Sequence, residues 1–119
     1  MSTRAQVRFA TRESGQSFNQ HPSAIHAQFY VHYDGYPEGL GVQIAESILD
    51  GRKMDNLEIE YLDTERGDLD YIYYVWQSPG KDTYITIFED PSAFTDGKER
   101  CVFVGTPLEL INKYEYNDR

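Results

Sequence analysis

The stretch IHAQFYVHYDGYPEGLGVQIAESILDG, residues 25–51, decides how this chain folds. Over residues 25–33, Ile25, Ala27, Phe29, Val31 and Tyr33 alternate with His26, Gln28, Tyr30 and His32. A period of two is the mark of a strand with one buried face. The segment DGYPEGLG, residues 34–41, then turns the chain into a helix, with Pro37 at the first helical position, where its missing N–H costs nothing. Leu40, Ile44, Ala45, Ile48 and Leu49 form an apolar stripe at helical spacing. Gly51 suits the left-handed residue that ends a helix, and Arg52 and Lys53 complement the negative end of its dipole.

Working outward, residues 3–9 carry a matching pattern: Thr3, Ala5, Val7 and Phe9 on one side, Arg4, Gln6 and Arg8 on the other. The two strands are expected to pair antiparallel across a polar loop, residues 11–23, with the helix on their apolar face. Residues 57–61, 71–77, 83–88 and 100–104 read as further strands, separated by turn-rich segments. The sequence TPLELINKY, residues 106–114, opens a last helix: Thr106 caps, Pro107 follows, and Glu109 reaches back to close a capping box. The expected fold is α+β, one domain over residues 1–119, in the order ββαββββα, with a mostly antiparallel sheet and the helices on one face.

The chain has 119 residues and a net charge of −9. Length suits a single domain. The acidity counts against nucleic acid and anionic membrane surfaces as partners, since both demand a basic footprint. No apolar run reaches the roughly 18 residues that a membrane helix needs. Residues 1–9 hold two arginines and no apolar leader core. With its one cysteine, this makes a cytoplasmic protein without disulfides the expectation.

Four stretches stand in order: STRA at 2–5, YVHYDGYPEGLG at 30–41, YIYYV at 71–75 and VGTPLEL at 104–110. Together they resemble a family of small proteins of bacteria and their phages. Its members begin Met-Gly-Thr-Arg-Ala or similar, carry Tyr-Arg-Gln-Tyr-Asp-Gly-Tyr-Pro-x-Gly-x-Gly, and later an acidic-Tyr-x-Tyr strand. The most specific part here is Asp34-Gly35-Tyr36-Pro37-Glu38-Gly39. Members often carry an arginine in the strand before the motif, and this chain has none over residues 25–33, so no role tied to that arginine carries over. The resemblance implies a microbial, phage-linked setting and lends no catalytic residue.

Candidate chemistry is sparse. The DGYPEG loop can be structural, or its helix N-terminus can present N–H groups to an anion, with Glu38 opposing that. His26 and His32 are roughly 20 Å apart along a straight strand and cannot share an ion. No metal or other cofactor is expected. Cys101, in an apolar strand, reads as a small buried hydrophobe without a catalytic partner. No motif fixes a reaction, and a non-enzyme is expected.

Two surfaces remain. The first is an acidic, aromatic one: Glu58, Glu60, Asp63 and Glu65 in the run 55–70, which holds one Arg66, beside Tyr74 and Trp76 on an exposed side of the strand 71–77. It leads to an acidic protein-binding antagonist in phage–host or toxin conflict, or to a homodimer. The second is a polar sheet face beside the DGYPEG loop where Arg4, Arg8, His32, Asp34 and Tyr36 would hold a phosphorylated or nucleotide ligand, as the alternative of a small-molecule binding protein or enzyme requires.

Overall fold

The computed structural model describes residues 3–12, 16–51, 53–54, 57–64, 66, 69–77, 82–91 and 99–117. The alternating segments become β1 (Ala5–Thr11) and β2 (Ala27–Val31). They pair antiparallel, with Val7 opposite Phe29 and Arg8 opposite Gln28. Pro37 does start the helical run, but its first turn is a wide π turn, Pro37–Gly41, which passes into α1 (Val42–Asp50). Gly51 ends it at φ 69°. Then follow β3 (Glu58–Glu60), β4 (Tyr71–Gln77), β5 (Tyr84–Glu89), β6 (Arg100–Gly105) and α2 (Pro107–Asn117).

The six strands form one sheet in the order β3-β2-β1-β4-β5-β6, so only the central pair, β1 and β4, joins strands that are not consecutive in the chain. Only β1 and β4 run parallel; every other neighbouring pair is antiparallel. The order ββαββββα and the α+β class are as expected. A radius of gyration of 13.5 Å matches roughly 13.5 Å for one compact domain of this length. No helix among the described residues is long and apolar enough to cross a membrane.

Both helices cover the same sheet face. Ala5, Val7, Val31, Tyr73, Val75, Ile85, Ile87 and Phe103 from the strands meet Ile44, Ala45, Leu110 and Tyr114 in the main core. Thr106 and Glu109 form the expected capping box: Glu109 Oε1 accepts from the Thr106 N–H at 2.9 Å, and Thr106 Oγ1 from the Glu109 N–H at 3.2 Å. The apolar stripe of α1 is only partly used. Ile44 and Ala45 are buried, but Ile48 and Leu49 in the last turn are 38% and 50% exposed, with nothing among the described residues laid over them.

The opposite face is not a solvated polar surface. Ala10, Tyr30, Leu69, Ile72, Tyr74, Trp76 and Phe88 make a second core, covered by Phe18, Ile25 and Tyr84. The expectation of an exposed Tyr/Trp patch is therefore overturned: Tyr74 is 1% and Trp76 0% exposed. The cause is the loop after β1, which folds back as a cover. Phe18 stacks on Tyr84 at 4.5 Å and meets Trp76 edge-on at 5.6 Å, while His21 stacks on Phe88 at 4.2 Å. Each large side chain so buried is worth about 1.5–3 kcal/mol, more than a loop needs to give up its freedom at a few anchoring positions.

Candidate functional site

The DGYPEG loop is a structural joint. Gly35 N donates to Thr3 O at 3.0 Å, Tyr73 Oη donates to Gly35 O at 2.6 Å, and Leu40 N donates to both Tyr36 O and Asp34 O. The positive φ falls on Asp34 (57°), not on Gly35. Gly35 serves close approach instead: a Cβ there would lie 2.9 Å from both Ala5 Cβ and Thr3 O.

The proposed anion set is not brought together. Arg4 precedes β1, where its N–H donates to Asp70 Oδ2 at 2.9 Å and its carbonyl accepts from Asp70 N and Tyr71 N. His32, Asp34 and Tyr36 are exposed just beyond the end of β2, with His32 Nε2 3.5 Å from Glu58. Arg8 lies opposite Gln28, four residues or roughly 13 Å along the strand from His32. Strand length separates them.

Arg8 instead enters a network between the two glutamines of its sheet face. Its Nε donates to Gln28 Oε1 at 2.9 Å, Nη2 to Gln6 Oε1 at 2.8 Å and Nη1 to Tyr74 Oη at 2.8 Å. Gln6 Nε2 and Gln28 Nε2 then donate to Glu60 Oε1 at 2.9 and 3.2 Å. Arg66 Nε closes the chain on Glu60 Oε2 at 2.6 Å, its guanidinium 3.4 Å above the Tyr30 ring. The Glu60 side chain is only 6% exposed. Glu60 thus leaves the acidic contact surface assigned to it: docking β3 beside β2 turns it inward, toward Gln28 and Gln6. Glu58 and Asp63 stay exposed, and Glu65 lies outside the described residues.

Tyr74 extends the network. Arg8 donates to its oxygen, which also lies 2.6 Å from His21 Nδ1. His21 Nε2 is in turn 2.9 Å from both Glu99 oxygens. Burial raises the Tyr74 pKa, and Arg8 works against the rise. The phenol is therefore a neutral link rather than a base.

Above Arg8 and Tyr74 a cleft of about 270 Å³ opens between two covering segments. One wall is Pro22, Ser23, Ala24 and Ile25; the other is Leu62, Asp63 and Thr64. A broader depression of about 480 Å³ lies by β6, lined by Asn19, Cys101, Val102, Phe103, Val104 and Lys113. Cys101 is exposed there rather than buried, because it lies on the outermost strand, where a bulge shifts the register. Its thiol pKa is raised by partial burial, which disfavours the thiolate needed for nucleophilic chemistry. Among the described residues no three His, Cys, Asp or Glu side chains are placed to hold a metal ion.

The two sheet edges differ. Along β6, Lys113 from α2 donates to Val102 O at 3.1 Å, and the bulge twists the edge. At the other edge β3 is outermost, with Ile59 and Tyr61 each 85% and Leu62 50% exposed.

Sequence reasoning missed Gln6, Gln28, Phe18 and His21. The signals were small: glutamines facing each other's strand, one arginine in an acidic run, and a phenylalanine and a histidine alone in a polar loop. No protein-family model matches the chain, and no curated protein or solved structure matches it significantly.

Proposed function

We propose that this protein is a non-enzymatic binding module that docks on another protein through the β3 edge of its sheet. One observation carries the reading: a three-residue edge strand with Ile59 and the adjoining Tyr61 each 85% exposed. An open edge offers backbone N–H and C=O groups to an added strand, and flanking side chains select the partner. Glu58 and Asp63, both exposed, flank this edge and favour a basic, strand-forming segment. The resemblance to bacterial and phage proteins directs the reading toward an intracellular inhibitor or antagonist. The contact surface is thus moved from Tyr74 and Trp76 to Ile59, Tyr61 and Leu62.

The test is a comparison of the wild type with Ile59→Lys/Tyr61→Ser, immobilised and challenged with bacterial lysate at low and high salt. Both side chains are exposed, so the variant retains its fold. The reading expects a specific protein retained by the wild type, lost with the variant, and weakened by salt. A partner held equally by both overturns it. Concentration-dependent dimerisation abolished by the same substitutions would assign the edge to a second copy instead.

A further inference from the structure

We propose that the cleft over Arg8 binds a small apolar zwitterion, a free α-amino acid with a branched or aromatic side chain. This site adjoins the β3 edge, with Leu62 and Asp63 common to both, but it does not depend on a partner docking there.

The first ground is the state of Arg8. A guanidinium has five N–H donors. Three are taken by Gln6, Gln28 and Tyr74, all neutral acceptors. Two remain, and Arg8 is in none of the ion pairs among the described residues. Among the described residues, the hydrogen-bonded network beneath the cleft joins two guanidiniums, Arg8 and Arg66, to the one carboxylate of Glu60. A half-buried positive charge, fixed in place by three bonds, is a preorganised seat for a carboxylate.

The second ground is the rest of the lining. Asp63 stands on the wall of the same cleft, so an ammonium group finds a counter-charge there. The same carboxylate repels a phosphate dianion. Pro22, Ile25 and Leu62 supply apolar walls. At about 270 Å³ the space falls just below the roughly 300–1,000 Å³ of drug-sized ligands, which suits an amino acid and not a nucleotide. A peptide terminus carries only one of the two charges, so the pairing of Arg8 with Asp63 selects the free amino acid.

The experiment is an amide ¹H–¹⁵N NMR titration of the full chain with millimolar L-leucine, L-phenylalanine, isopentylamine, 4-methylpentanoate and inorganic phosphate. Leucine or phenylalanine should perturb the amides of residues 23–25 and 62–64 saturably. Isopentylamine, which lacks the carboxylate, should not. In Asp63→Asn, an exposed and conservative change, affinity for the amino acid should fall roughly tenfold, while 4-methylpentanoate should bind more tightly than to the wild type. Silence of both amino acids, an equal response of Asp63→Asn to them, or a phosphate response at the same amides would each overturn the proposal.

Discussion

The Arg8 guanidinium and the Glu60 carboxylate are joined through Gln6 and Gln28, whose amide oxygens accept from the arginine and whose amide nitrogens donate to the glutamate. Two side-chain dipoles thus lie head to tail between opposite charges, each bond polarising the next. Gln6→Leu or Gln28→Leu removes one acceptor from Arg8 and one donor from Glu60 in a poorly solvated place. Each should cost about 2–4 kcal/mol in urea denaturation. The double variant should lose less than the sum, because both glutamines serve the same two charges. Strict additivity would show that the four groups do not act together.

The loop cover predicts a second effect. Thr86 Oγ1 accepts from Trp76 Nε1 at 2.8 Å and donates to Phe18 O at 2.6 Å. Thr86→Val keeps the shape and leaves a buried indole N–H and a loop carbonyl without partners. A loss of about 2–3 kcal/mol is expected. The tie between sheet and cover is cut as well, so Trp76 emission should shift to the red and cleavage near residue 18 by protease should accelerate. A stable variant with unchanged Trp76 emission would mean that ring stacking alone holds the loop.

This cover marks the limit of what the sequence made legible. Strand alternation in 3–9 and 25–33, the Pro37 start, the Gly51 stop and the Thr106–Glu109 capping box were all readable, because each depends on residues a few positions apart. Trp76 and Tyr74 were misassigned because alternation tells which way a side chain points, not what lies over it. Their cover is Phe18 and His21, more than fifty residues away along the chain. Glu60 was misread for the same reason: its inward turn depends on β3 docking beside β2, a pairing that local pattern does not specify.

Gly35 and Asp34 give opposite predictions from adjacent positions. Gly35→Ala forces a Cβ to 2.9 Å from Ala5 Cβ and Thr3 O, and should cost about 1–3 kcal/mol. Asp34→Gly relieves a φ of 57° and should leave stability unchanged or raise it by up to about 1 kcal/mol. Thermal melts of the two variants check the assignment. If Gly35→Ala were neutral and Asp34→Gly damaging, the loop would depend on the Asp34 side chain rather than on close approach at Gly35.

Two groups on α2 set pH limits at opposite ends of the scale. Burial, reinforced by the negative charge of Glu38, pushes Tyr114 up to about 12 from its ordinary 10.0. A raised folded-state value stabilises fully below the unfolded value, so this contribution is intact below about pH 10 and is lost toward pH 12. Glu109 behaves inversely. Its bonds from the Thr106 N–H and hydroxyl hold its carboxyl below the ordinary 4.5. A depressed value stabilises above the unfolded one, so the capping box is complete above about pH 4.5 and opens as acid protonates Glu109. An NMR titration of the Thr106 amide should follow the Glu109 side-chain resonance, with an apparent midpoint below 4.5. Thr106→Ala removes the hydroxyl and should return that midpoint toward 4.5. A midpoint already at the ordinary value in the wild type would mean that the box does not persist in solution, and that α2 is held by Leu110 and Tyr114 alone.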